Sequence, residues 1–137
     1  MTVKNIVLAL SLCFFSTICF AQKEAEPFKG KLFAPNIILQ HQGQLNLSAQ
    51  QMQKLRQEVI KVQTSIAEPQ WEMAEAYQKV IAEVDKDRID ETVVLENLEK
   101  VLLAENKVKK IQTIMLIRLR NLLTAEQIDY LKNAVDQ

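Results

Sequence analysis

The stretch DETVVLENLEKVLLAENKVKKIQTIMLIRLRNLL, residues 90–123, decides the fold, because it is the longest uninterrupted helical pattern in the chain. Its apolar residues recur every three or four positions, which is the spacing of one helix face; they are Val94, Leu98, Val101, Ala104, Val108, Ile111, Met115, Leu119 and Leu122. At about 1.5 Å rise per residue, a helix of this length extends roughly 50 Å. It therefore needs an equally long partner helix.

The overall composition indicates an all-α protein. The 137 residues are 48% hydrophobic and 25% charged, and they contain only two glycines and three prolines. A sheet protein of this size would need more turn residues. Seventeen basic residues balance seventeen acidic ones, so nothing in the charge favours nucleic acid as a partner.

The first 21 residues resemble a cleaved secretory signal. Lys4 precedes a mostly apolar run over residues 6–20, and Cys19-Phe20-Ala21 places small residues where a signal peptidase reads. A retained anchor is the alternative, but about 15 apolar residues fall short of the roughly 20 that span a bilayer. We therefore expect an exported protein without a stable membrane anchor. Cleavage also removes both cysteines, so the mature chain uses no disulfide.

Residues 22–44 are expected to be a mobile N-terminal segment with one short ordered piece. They contain both glycines and two of the three prolines, and they show little periodicity. Phe33, Ile37 and Ile38 are the side chains available to attach this piece to the body. The helical domain is then expected to cover residues 45–137.

Local signals place the helix boundaries in that domain. Ser48 is a suitable N-cap, Gln51 completes a capping box, and Leu47 is placed as a hydrophobic staple. The apolar phase that follows continues beyond Pro69, which predicts a kink or a very short break and not a long loop. Asp90 caps the long helix, so residues 85–90 form the turn of an antiparallel hairpin.

A second capping box closes the helical region. Thr124 is the N-cap, Gln127 stands three residues later, and Leu123 precedes the cap. A short amphipathic helix with Ile128 and Leu131 on its apolar side should follow and fold back on the hairpin.

The two boxes, Leu47-Ser48-Ala49-Gln50-Gln51 and Leu123-Thr124-Ala125-Glu126-Gln127, share a Leu-Thr/Ser-x-x-Gln pattern. In this, and in its Pro-marked helix and long helix rich in Glu and Lys, the chain resembles the Spy/CpxP superfamily of periplasmic stress proteins over about residues 45–135. The resemblance implies a cradle-shaped homodimer. It also implies ATP-independent chaperone activity, inhibition of a sensor kinase, or heavy-metal sensing. Our physical interpretation of the motif residues is that they cap helices.

Few residues of the chain are candidates for metal binding or catalysis. His41 is the single histidine and is a weak metal candidate, because a transition-metal site normally has two or more nitrogen or sulfur ligands. Met52, Met73, Met115, Trp71 and Tyr77 fit core packing better than a ligand cage. No nucleophile with a base and no glycine-rich phosphate loop is evident, so we expect neither an enzyme nor a cofactor.

The segment around residues 114–119 carries more apolar residues than one partner helix can cover. We therefore predict that it is a surface for a second copy or for partly unfolded client proteins, with cations nearby to attract acidic clients. The surface comprises Ile114, Met115, Leu116, Ile117, Arg118, Leu119 and Arg120.

Overall fold

The protein is a long antiparallel helical hairpin with short helices at one end. The computed structural model describes residues 28–135. Its elements are α1 (Pro35–Gln40), α2 (Gln42–Leu45), α3 (Ala49–Val84), α4 (Glu91–Leu122) and α5 (Ala125–Val135). This confirms the predicted all-α hairpin, in which α3 packs along α4. Ion pairs join Arg118 to Glu58 and Lys107 to Glu72 across the two antiparallel helices.

Helix α3 runs unbroken through Pro69. The proline has no N–H to donate to the carbonyl one turn earlier, yet the helix continues for 36 residues. Pro69 itself is buried against α4. The apolar phase on the two sides of the proline therefore belongs to a single long helix, as predicted.

Glu83 organises the turn between α3 and α4. Only 5% of this residue is exposed; one carboxylate oxygen accepts from Lys86 Nζ at 2.6 Å and the other from the Asp90 N–H at 3.1 Å. The Lys86 hydrogen bond is the main cause that lowers the pKa of Glu83, and the Asp90 N–H adds to it. Asp90 in turn caps α4 by accepting from the Thr92 N–H at 2.9 Å.

The apolar core lies at the end of the hairpin away from this turn. One cluster of buried side chains joins α1, α2, α3, α4 and α5 there; it consists of Phe33, Ile38, Leu45, Leu55, Val62, Ile66, Met115, Leu119 and Leu131. We call residues 28–66 with 111–135 the base, and residues 69–107 the turn-ward half. The base thus contains the whole cluster.

The N-terminal segment contributes to this core. Phe33 and Ile38 are completely buried, and Leu45 is 4% exposed. Phe33 and Ile38 thus attach the expected short ordered piece to the body. Short helices of six and four residues have little helical periodicity to detect, so the sequence pattern hid them. The predicted signal peptide lies outside the described residues.

Candidate functional site

The two capping boxes are both formed. At the start of α3 the Ser48 N–H donates to Gln51 Oε1 at 2.9 Å, and the Gln51 N–H donates to Ser48 Oγ at 3.1 Å. At the start of α5 the same pair of bonds links Thr124 and Gln127, at 2.9 Å and 3.3 Å. Each box satisfies two backbone donors that a helix start leaves free.

The two boxes also bind each other through their glutamines. Gln51 Nε2 donates to Gln127 Oε1 at 2.8 Å, and Gln127 Nε2 lies 3.4 Å from Gln51 Oε1. The second N–H of each amide goes to a backbone carbonyl of the base, Leu122 for Gln51 at 2.8 Å and Leu45 for Gln127 at 2.9 Å. We call this network the glutamine clasp. It ties the starts of α3 and α5 to the end of α4, a contact that the repeated motif did not predict.

The predicted surface between residues 114 and 120 divides into two kinds of side chain. Met115 and Leu119 are 3% and 0% exposed and belong to the core of the base, so neither lies on a binding surface of this chain. Leu116 packs half-buried against the same cluster. Ile114 and Ile117 are 47% and 44% exposed and remain available to a partner.

The two arginines of that surface are not fully available to a partner. Arg118 donates to Glu58 Oε2 of α3 at 3.2 Å, while Arg120 is half-buried. Residues 106–125 hold five cations and no acidic residue. Lys107 pairs with Glu72 at 2.8 Å, and this hydrogen bond raises the pKa of Lys107. Exposed Lys109 and Lys110 keep the outer face of α4 positive.

Most of the uncovered apolar surface lies elsewhere, on the turn-ward half. Eight large apolar side chains there are at least two-fifths exposed; they are Trp71, Tyr77, Ile81, Val84, Ile89, Leu95, Leu102 and Leu103. Trp71, which was expected to pack in a core, does not do so within this hairpin, because it is 77% exposed, whereas Tyr77 is 42% exposed. Periodicity alone assigns a large aromatic residue to a core and does not show which face is covered.

Trp71 points away from α4. It follows the buried Pro69 by two positions, which is about 200° around a helix. Ile60, Ala67, Ala74 and Ile81 recur every seven residues on α3, and all are exposed. This outer stripe of α3 has the spacing of a second helix-packing face.

His41 contacts the last helix and gathers no ligands around it. Its ring meets the Tyr130 ring edge-on with centroids 5.6 Å apart, and Tyr130 Oη lies 3.5 Å from His41 Nδ1. Within residues 28–135, no group of three or more His, Cys, Asp or Glu side chains is placed to hold a metal ion. The geometry gives His41 a packing contact between the N-terminal segment and α5.

A shallow groove of about 320 Å³ runs along one side of the turn-ward half. Ion pairs cross or border it, including Lys107 with Glu72 and Lys79 with Glu75. The groove is open to solvent and lined mainly by charged side chains, unlike the concave apolar sites that enclose small ligands. The exposed apolar faces are therefore the stronger candidate site.

No helix among residues 28–135 is long and apolar enough to cross a membrane. The chain matches no protein-family model, no curated protein and no solved structure.

Proposed function

We propose that this protein is an exported, ATP-independent chaperone that holds partly unfolded proteins on the apolar faces of its turn-ward half. The observation that supports this proposal is the unequal distribution of buried and exposed apolar side chains along the hairpin. The base has a packed core, whereas the turn-ward half presents eight large side chains to water. Contiguous exposed apolar patches of more than a few hundred Å² mark interaction sites in soluble proteins, and such a patch would form where several of these side chains share a face.

The size of this surface supports a macromolecular partner. The eight side chains are about half exposed on average, from 42% for Tyr77 to 77% for Trp71. Together the exposed fractions equal about four complete large side chains, and burial of each one on a partner would contribute about 1.5–3 kcal/mol. A folded monomer does not need such a surface.

Charge gives the surface a preference among clients. Residues 69–107 hold ten acidic and five basic residues, so the turn-ward half attracts basic segments of a client before apolar contacts form. The acid-free stretch from residue 106 to 125 lies mainly beside the base. Binding by apolar area and charge requires no nucleotide, and release follows when the client buries its own apolar residues.

A second copy of the chain is the other occupant that we propose. The seven-residue spacing on the outer stripe of α3 suits helix packing between two hairpins, and a homodimer would leave the remaining faces for clients. A role as regulator of a sensor kinase or as a metal sensor is the alternative function.

The test is suppression of client aggregation by the purified protein, with and without chelator. Trp71→Ser should weaken client binding by about tenfold or more, as expected for a large anchor side chain. Ile60→Ser is the control, because Ile60 is 62% exposed and lies within about 20° of Trp71 around α3, but in the base. Equal losses in both variants would refute the assignment to the turn-ward half. A wild-type protein that protects no client would refute the chaperone proposal.

A further inference from the structure

The turn-ward half is held together by much less than the base. Between Pro69 and Lys107, the buried apolar side chains are Ala76, Val101 and Ala104. None of the three belongs to the main cluster. Two alanines and a valine bury little area, and burial stabilises by about 25 cal/mol per Å². The buried polar residues of the hairpin, Glu83 and Asn97, also lie in this half.

Asn97 makes the closed state of this half costly. Its Nδ2 donates to the Val93 carbonyl at 2.8 Å, but its buried Oδ1 accepts no hydrogen bond. A buried acceptor without a donor loses the hydrogen bonds that water would give it. Pro69 removes a backbone hydrogen bond from α3 on the same side of the hairpin.

The contacts that cross between the helices here are exposed. Lys107 and Glu72 are 56% and 45% exposed, and surface ion pairs contribute little to stability. In the base, by contrast, the glutamine clasp and the apolar cluster both join separate helices. The two halves therefore differ in the buried apolar side chains and in the buried hydrogen bonds between helices, whereas each has one ion pair between α3 and α4.

We propose that the turn-ward half unfolds locally as one unit while the base stays folded, and that occupation of its outer apolar faces closes it. A partner that binds only the closed form stabilises that form by mass action. The second half of the proposal rests on the proposed function, whereas the local unfolding does not. Client binding and order in the turn-ward half are then coupled.

Hydrogen exchange of the full chain, followed by mass spectrometry, tests the local unfolding. Amides of residues 72–84 and 93–105 should exchange about tenfold or more faster than those of residues 51–66 and 111–119, because local opening needs less free energy than global unfolding. Equal exchange along both helices would overturn the proposal.

Asn97→Leu tests whether the unsatisfied Asn97 acceptor promotes the local unfolding. Removing the unsatisfied acceptor should slow exchange of the turn-ward half by about tenfold, given the cost of such a group, and leave the base unchanged. Asn106→Leu is the matched control, since Asn106 is exposed on α4, and it should change neither half. Turn-ward exchange that is unchanged or faster in Asn97→Leu would overturn the assignment to Asn97.

A reduced, unfolded basic protein serves as the client probe in the same measurement. Its addition should slow exchange in the turn-ward half alone. If Asn97→Leu behaves as expected but the client protects nothing, the coupling fails while the local unfolding stands. If the client protects only the base, both the coupling and the proposed client site are wrong.

Discussion

Removing one glutamine of the clasp should destabilise the protein more than losing an ordinary helix cap. Gln127→Ala deletes the four side-chain hydrogen bonds that join this residue to Thr124, Leu45 and Gln51. A net hydrogen bond contributes about 0.5–1.5 kcal/mol, and the groups left behind are only part-buried. We therefore expect a loss of about 2–3 kcal/mol in the free energy of unfolding.

A double-mutant cycle with Gln51→Ala isolates the link between the two boxes. The double variant should lose about 1–2 kcal/mol less than the sum of the single variants, because each single change already removes the shared amide pair. Chemical denaturation monitored by circular dichroism gives the four free energies. Gln53→Ala is the control for a glutamine exposed on α3. Additive losses would refute the idea that the boxes act as one clasp.

Three further changes probe the rest of the structure. Thr124→Ala should cost about 0.5–2 kcal/mol through the lost cap, and denaturation that is unchanged would show that Thr124 does not stabilise α5. Leu119→Ala should cost about 2–5 kcal/mol because the side chain is completely buried; Ile117→Ala should cost far less, and equal thermal shifts would contradict this placement. The pKa of Glu83 is lowered by Lys86, so the stability it contributes is present above its ordinary value of 4.5 and is lost as pH falls below it. Glu83→Gln should flatten that acid loss in denaturation curves recorded from pH 6 to pH 3, and an unchanged slope would contradict the role of this carboxylate.

The sequence predicted the helices well because their signals are local. The caps Ser48, Asp90 and Thr124 act within three residues, and each begins a helix in the structure. The apolar stripe of residues 90–123 likewise depends only on spacing, and its members Val101 and Ala104 are buried against α3. The turn followed from the charged residues between two such patterns.

Features that depend on distant parts of the chain were not predictable in this way. Gln51 and Gln127 each have a local role that explains their presence, so nothing in the sequence indicated that they bind each other. Trp71 is a large aromatic residue of the kind that often packs in a core, but it lies on the surface of this chain. Its burial depends on which face of α3 is covered by α4. Met115 and Leu119 lie among residues that are apolar on every side, where periodicity does not show which ones α3 covers.

The glutamine clasp also sets the order in which the chain folds. Its two amides are separated by 76 residues, whereas α3 and α4 meet first across a turn of only a few residues. Contacts between distant residues form late, because the entropy of closing a long loop must be overcome before they stabilise anything. We therefore expect the hairpin to form first near its turn, at Glu83, and the clasp to form last, when α5 packs on the base. A chain that ended before Gln127 would lose the clasp and Leu131, and the rest of the apolar cluster would be less covered.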